Sequence, residues 1–188
     1  MTFKLICFDM DGVIFEFTNF WMELHKVFDT YEEGKKLSDL YLDSDYEKLV
    51  SEVVGELWKG KDAKSYFYFI NSIKYLSGVE ETFDFVKNKY LLSAIVSGSS
   101  LDLAKKVQRD FNVNYVFANN LVIKNGLVSG EFHDIIKQGY EFKVKVISDL
   151  CLKLGLEMSE VVYVGDSKFD VDAFKEVGFS IAFNSDCD

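Results

Sequence analysis

The sequence predicts an α/β protein: a three-layer α/β/α core with a parallel sheet, a small α-helical unit inserted after the first strand, and a β-hairpin beside the main sheet. Three observations carry that reading. Short apolar runs alternate with segments of helical period, a pattern that implies parallel strands covered by helices on both faces. The first strand and the next strand-like run are separated by roughly eighty residues, far more than a normal crossover, and most of that stretch has helical spacing. Within 121–130, Asn125–Gly126 joins two strand-like pieces, a strong hairpin signal.

The elements follow in order. Leu5–Phe8 reads as a buried strand. Phe17, Phe20, Trp21, Leu24 and Phe28 then share one helical face, as do Leu49, Val50, Val53, Val54 and Leu57, and again Ala63, Tyr66, Phe67, Ile70 and Ile73. Three amphipathic helices in succession can bury their stripes against one another, so residues 15–76 are expected to form a helical cap, with 1–14 and 77–188 forming the core. Gly78, in "SGVEE", suits a return hinge because glycine tolerates unusual dihedrals, and 79–90 reads as the helix leading back. Strands are expected at Leu91–Val96, Tyr115–Ala118, Val161–Val164 and Phe179–Phe183. Between them, 101–111 align Leu101, Ala104, Val107 and Phe111, and 142–154 align Phe142, Val146, Leu150 and Leu154. Proline is absent, so turns fall to Gly, Asn, Asp and Ser. The core pattern is Rossmann-like.

Composition narrows the function. The 188 residues are 48% hydrophobic and 28% charged, the balance of a soluble globular protein. A formal charge of −10 argues against a nucleic-acid partner or an anionic membrane surface. Cys7, Cys151 and Cys187 are odd in number and scattered, forming neither a disulfide framework nor a metal spacing. The apolar stretch near the start is too short for a signal peptide and is broken by aspartate. A cytoplasmic protein, monomeric or homodimeric, is the expectation.

In open parallel sheets, ligands collect at the carboxyl ends of the strands. Asp9 and Asp11 follow the first strand, Ser97–Ser100 follow the second, and Asp166 and Asp170 follow 161–164. Lys143 opens the helix before that last strand. Clustered carboxylates suit a hard cation such as Mg²⁺, which bridges to phosphate. A helix N-terminus binds anions and lysine is a point-charge phosphate binder. Together these residues describe a Mg²⁺–phosphate site.

At these residues the chain resembles the haloacid dehalogenase-like phosphatases, most nearly their phosphoserine phosphatase branch, whose helical cap follows the first strand. Four motifs match in order: "DMDGV" (9–13), "VSGS" (96–99), Lys143 and "VGDSKFD" (164–170). The stretches "VFANNLVIKNGLVSG" (116–130) and "GDSKFDVDAFKEVGFSIAF" (165–183) also look like family counterparts. The resemblance implies a phosphatase acting on a small phosphorylated metabolite. Asp9 would be the nucleophile that becomes an aspartyl-phosphate, and Asp11 the acid and then the base. Asp9, the Asp11 main-chain carbonyl and Asp166 would hold Mg²⁺. Ser97, the Gly98 amide and Lys143 would bind the phosphoryl group, and Asp170 would orient the metal surroundings through Asp166 or water.

Blander readings exist for each residue. An isolated D-x-D is commonly a turn, and a serine before a helix is commonly its cap, as Ser99 or Ser100 is expected to be. Lys143 has a rival in Lys145, but Val146, Ile147 and Leu150 lie at +3, +4 and +7 from Lys143, as a buried face requires. Asp172 reads as a solvated neighbour, and His25 and His133 as ordinary surface or core residues. Fourteen of the thirty aromatics, both tryptophans included, fall in 15–76, which makes them cap core first and pocket wall second. Joint occurrence of the four motifs favours the functional reading. A phosphomutase is the alternative within the family; a receiver-like domain or a non-catalytic phosphate-binding protein is the alternative outside it.

The resemblance also has a gap. Relatives acting on phosphoserine use a cap arginine and a cap glutamate. The single arginine here, Arg109, lies in the core, and the glutamate position looks like Thr18, with Glu16 and Glu23 off register. Lysine cannot supply the same bidentate fork. The expected substrate is therefore not phosphoserine. The resemblance further implies a sheet edge shortened after 179–183.

Overall fold

The computed structural model describes residues 2–136 and 141–184; Cys187 lies outside them. Six strands form one sheet in the order β4-β3-β2-β1-β5-β6. Strands β1 (Leu5–Phe8), β2 (Leu92–Ser100), β3 (Tyr115–Lys124), β5 (Val161–Gly165) and β6 (Phe179–Ala182) run parallel. Strand β4 (Leu127–His133) returns antiparallel along β3 through Asn125 and Gly126, both at positive φ, which gives a tight hairpin turn.

Central β1 alternates its side chains across the sheet. Leu5 and Cys7 pack with Ile147, Leu150 and Cys151 of α7 (Glu141–Leu154) and Ala173 of α8 (Val171–Glu176). Phe8 faces Phe83 and Val86 of α5 (Val79–Asn88) and Leu103 and Val107 of α6 (Leu101–Phe111). Helices thus cover both faces. Phe8 is in register with Ile95 on one side and Val164 on the other, so the carboxyl ends of β1, β2 and β5 come level.

Two strands run further than the sequence suggests. Strand β2 continues past Val96 through the serines, with its register to β3 slipping between Val96 and Ser100, so that Ser97–Ser99 bulge from the ladder. The expected strand 115–118 and the first hairpin arm are one strand, since no glycine or proline interrupts 118–121.

Between β1 and α5 the chain is helical. Helices α1 (Phe20–Val27), α2 (Tyr31–Tyr41), α3 (Tyr46–Val50), its π-helical continuation Ser51–Leu57, and α4 (Ala63–Ser72) bury Phe20, Leu24, Phe28, Trp58, Tyr66 and Ile70. Helix α1 starts later than its aromatic stripe because Asn19 caps it, accepting the Met22 N–H. Helix α2 was not among the three expected. Its "YEEGKKLSDLY" carries little apolar stripe and a central glycine. That glycine makes the packing possible, since a Cβ on Gly34 would stand 2.2 Å from His25 Cε1.

The hairpin anchors this helical segment. Gly60 and Ala63 donate to the carbonyls of Val128 and Gly126, and Val128 donates back to Lys61. Tyr66 bonds Ser100 across to the core at 2.6 Å. The chain returns through Gly78 at φ +90°, a value that glycine adopts without strain.

Candidate active site

The level strand ends open into a cavity of about 250 Å³ whose floor is core and whose roof is the helical segment. Asp9, Asp11, Ser97, Gly98, Lys143 and Asp166 all line it. Asp170 sits behind the floor with no exposure.

Asp9 follows β1, and its amide donates to the Val164 carbonyl. Its Oδ1 accepts the Met10 N–H at 2.7 Å and its Oδ2 accepts the Lys143 ammonium at 2.5 Å. The same ammonium donates to Asp170 Oδ1 at 2.6 Å, which also accepts the Tyr163 hydroxyl at 2.7 Å. Asp170 Oδ2 takes the amides of Asp166 and Ser167 and the Ser167 hydroxyl. Asp170 therefore sets the loop after β5 through its backbone and sets Lys143 directly. Gly165 is required there, because a Cβ would stand 2.4 Å from Asp170 Cγ.

Charge explains the titration of this floor. Burial disfavours the Lys143 ammonium, but the carboxylates of Asp9 and Asp170 outweigh it and hold its pKa above the usual lysine range. Lys143 in turn holds Asp170 below the carboxylate range, against burial. Burial pushes Asp9 up while Lys143 opposes it. Asp11 is pushed up to about 7 by burial and then by the neighbouring Asp9 charge. Asp166 also rises to about 7, through burial and then the charges of Asp9 and Asp170. Asp11 Oδ2 accepts the Phe20 N–H at the start of α1, at 2.7 Å, while its Oδ1 and the nearby Ser99 hydroxyl, which steadies the Asp11 carboxylate, are buried without a well-formed hydrogen bond among the described residues.

Oxygens of Asp9, Asp166 and Asp170 lie within 4.8 Å of one another. Gly12, at φ +73°, lets the Asp166 carboxylate approach, since a Cβ there would stand 1.9 Å from Asp166 Oδ2. The backbone at Gly98 is pinned from two sides. The Gly98 carbonyl accepts Trp21 Nε1 from α1 at 2.9 Å and Asn119 Nδ2 from β3 at 3.1 Å. Asn119 Oδ1 also takes the amides of Ile135 and Ile136, fixing the segment that leads toward α7.

A profile of the haloacid dehalogenase-like hydrolases matches residues 3–178. The chain belongs to this family. Phosphoserine phosphatase of Methanocaldococcus jannaschii is 27% identical over 183 residues, covering 96% of this chain and 85% of that protein. Phosphoserine phosphatase of Archaeoglobus fulgidus is 28% identical over 184 residues, covering 97% of this chain and 53% of its own length. A solved phospho-aspartyl intermediate analogue of phosphoserine phosphatase superposes with TM-score 0.83 at 26% identity, covering 98% of this chain and 88% of that one. A substrate-bound phosphoserine phosphatase complex gives 0.84 at the same identity and coverage. This haloacid dehalogenase-like hydrolase is a phosphatase.

Other sequence candidates lie elsewhere. Lys145 is 70% exposed and pairs with Asp149, against 6% exposure for Lys143. Asp172 pairs with Lys175 outside the cavity. Arg109 is exposed on α6, His133 is exposed on β4, and Ser100 rather than Ser99 caps α6. His25 lines the cavity, but burial lowers its pKa to about 4, so the ring is neutral. Sequence reasoning missed the parts played by Asn119 and Tyr163, whereas Trp21 fits the expected cap-core or pocket-wall aromatic and Ser99 belongs to the VSGS motif. Asn119 lies within the quoted "VFANNLVIKNGLVSG", the one local signal that pointed toward it. Among the described residues, no helix is long and apolar enough to cross a membrane.

Proposed function

We propose that this phosphatase is a Mg²⁺-dependent phosphomonoester hydrolase acting on a small phosphorylated metabolite through an aspartyl-phosphate on Asp9, with residues 15–76 as its cap. The observation that carries this reading is the buried Lys143 ammonium, 2.5 Å from Asp9 and 2.6 Å from Asp170. It opposes the burial that disfavours the Asp9 carboxylate, beside the place where a phosphoryl group would meet Ser97 and Gly98.

The donor set fits a divalent cation. Among the described residues, the carboxyls of Asp9, Asp11, Asp166 and Asp170 face a single ammonium, Lys143. An excess of buried negative charge is costly unless a cation joins it. The oxygens of Asp9 and Asp166, with the Asp11 main-chain carbonyl, would hold Mg²⁺, a hard ion that prefers such ligands. When bound, it supplies positive charge to the phosphoryl oxygens and to the nucleophile.

In the first step a carboxylate oxygen of Asp9 bonds to phosphorus and the ester oxygen leaves with the proton of Asp11. In the second, Asp11 takes a proton from water, whose oxygen bonds to phosphorus and releases Asp9. A carboxyl with a pKa of about 7 serves both steps near neutral pH. Ser97 and the Gly98 amide hold phosphoryl oxygens, and Lys143 keeps nucleophile and phosphoryl group from repelling each other.

Phosphoserine suits this cavity poorly, because no arginine or lysine of 15–76 lines it. The unpaired thiols of Cys7 and Cys151, both buried, suit a reducing, cytoplasmic setting. A panel of phosphate esters assayed with and without Mg²⁺ tests the reading, with free phosphate as the expected product. An isomeric sugar phosphate as product would instead identify a mutase. Full Mg²⁺-dependent turnover by Asp9→Asn would overturn the proposed nucleophile.

A further inference from the structure

We propose that the substrate's alcohol half is an uncharged apolar body, an aromatic ring or short branched chain. This rests on the hydrolase reading above and deepens it. The cavity continues from the phosphate floor into the helical roof, so whatever is esterified to the phosphate must occupy that roof.

The roof is carbon. Trp21 and Met22 of α1, Leu42 after α2, and Val50, Val53 and Val54 around the π-helical turn line it. The π turn itself is secured by Trp58 N–H donating to the Val53 carbonyl, five residues back. Phe132 of β4 closes one side, edge-on to Trp21 at 5.3 Å.

Several polar groups of the roof already bond one another, while Thr18 and Tyr46 add two hydroxyls to its lining. Trp21 Nε1 donates to Gly98, and Trp58 Nε1 donates to Thr30 Oγ1, so both indoles offer the cavity only ring carbon. Thr30 Oγ1 also holds His25 Nδ1 at 2.8 Å. Asn19 caps α1, and the Ser38 hydroxyl donates to Met22 Sδ. Lys61 Nζ donates to the Phe28 carbonyl, and no lysine of 15–76 lines the cavity. A carboxylate, an ammonium or a ring of sugar hydroxyls entering this roof would lose water and find few free partners. An apolar body would lose nothing.

Matched primary-alkyl esters separate body from leaving-group reactivity. Benzyl phosphate is expected to show a kcat/KM about tenfold to a hundredfold above phosphoserine, ethanolamine phosphate and glycerol phosphate, as burial of an apolar side group predicts. The chain's two tryptophans both line the cavity, so their fluorescence reads occupancy directly. Titrating Asp9→Asn, benzyl phosphate should bind about tenfold or more tightly than inorganic phosphate. Leu42 is half-buried at the end of α2, where a cation is tolerated. Leu42→Arg should raise the phosphoserine-to-benzyl-phosphate ratio of kcat/KM by about tenfold or more. Mg²⁺-dependent turnover with phosphoserine or glycerol phosphate preferred would overturn the apolar-body inference alone. Benzyl phosphate binding no tighter than inorganic phosphate would do the same. Absence of turnover for every ester would overturn the hydrolase reading and this inference with it.

Discussion

At the core end of the cavity, carboxylates crowd one lysine ammonium, and both oxygens of Asp9 and of Asp170 have named donors; at the helical end, which faces it in space, no charged side chain lines the wall among the described residues. The floor is built from strand ends, whose positions the parallel ladder fixes to within a residue. The roof is built from helices that touch the floor through the bonds Trp21–Gly98, Phe20–Asp11 and Tyr66–Ser100. On the proposed function, the floor would carry out one reaction on many esters and the roof would select which ester enters. Changing either end should therefore leave a different signature.

The largest expected effect is at the floor. Asp9→Asn replaces the proposed nucleophilic carboxylate and should lower turnover by several powers of ten, each about 1.4 kcal/mol in barrier. Initial-rate assays measure it, and tryptophan fluorescence should still report ligand in the roof. Asp11→Asn comes next. With no proton to give, alkyl esters should slow by about 10²–10⁴. p-Nitrophenyl phosphate, whose leaving group needs no proton, should slow far less. Equal losses for both esters would remove Asp11 from the acid role.

Asp170→Asn tests the support behind the floor. Asp170 does not line the cavity, yet it accepts from Lys143, Tyr163, Asp166 and Ser167. Losing its charge should cost about 10–100-fold in kcat, as supporting partners of catalytic groups do. It should also lower stability by about 3–5 kcal/mol, the cost of leaving a buried charge half-paired. Denaturant unfolding gives the second number. Unchanged stability would mean that Lys143 finds another partner.

The two ends also differed in how far the sequence revealed them. Asp9, Asp11, Ser97, Lys143 and Asp166 each stand at a strand end or helix start, where a short local pattern announces the position. Asn119 did not stand out, because its role is to bridge Gly98 with the segment around Ile136, and no local spacing encodes that bridge. The roof was less legible still. Helix α2 has too few apolar residues to show a stripe, and Gly34 reads as a breaker until His25 is seen lying against it. Likewise the valines at 50, 53 and 54 look like an ordinary helix face, and only the π turn reveals that they line a cavity.

The smallest expected effect sets the two ends against each other through pH. His25 in the roof has a pKa near 4, below its ordinary 6.5, because burial disfavours the cation. The unfolded chain therefore binds that proton first, and His25 withdraws stability as pH falls from about 6.5 to about 4. Asp11 and Asp166 act in the opposite sense, since pKa values near 7 exceed their ordinary 3.8. Their contribution is fully present below about 3.8 and is lost as pH rises through about 7, until a cation offsets the charge. Melting temperatures of the native chain and His25→Gln, compared between pH 4 and 7 in chelator and again in Mg²⁺, separate the two. The difference between the chains should grow toward acid and be the same in both buffers, because the roof holds no charge for the metal to alter. The carboxylate part, common to both chains, should appear in chelator and flatten in Mg²⁺. A difference between the chains that changes with Mg²⁺ would mean that His25 senses the floor, and that roof and floor are electrostatically one site.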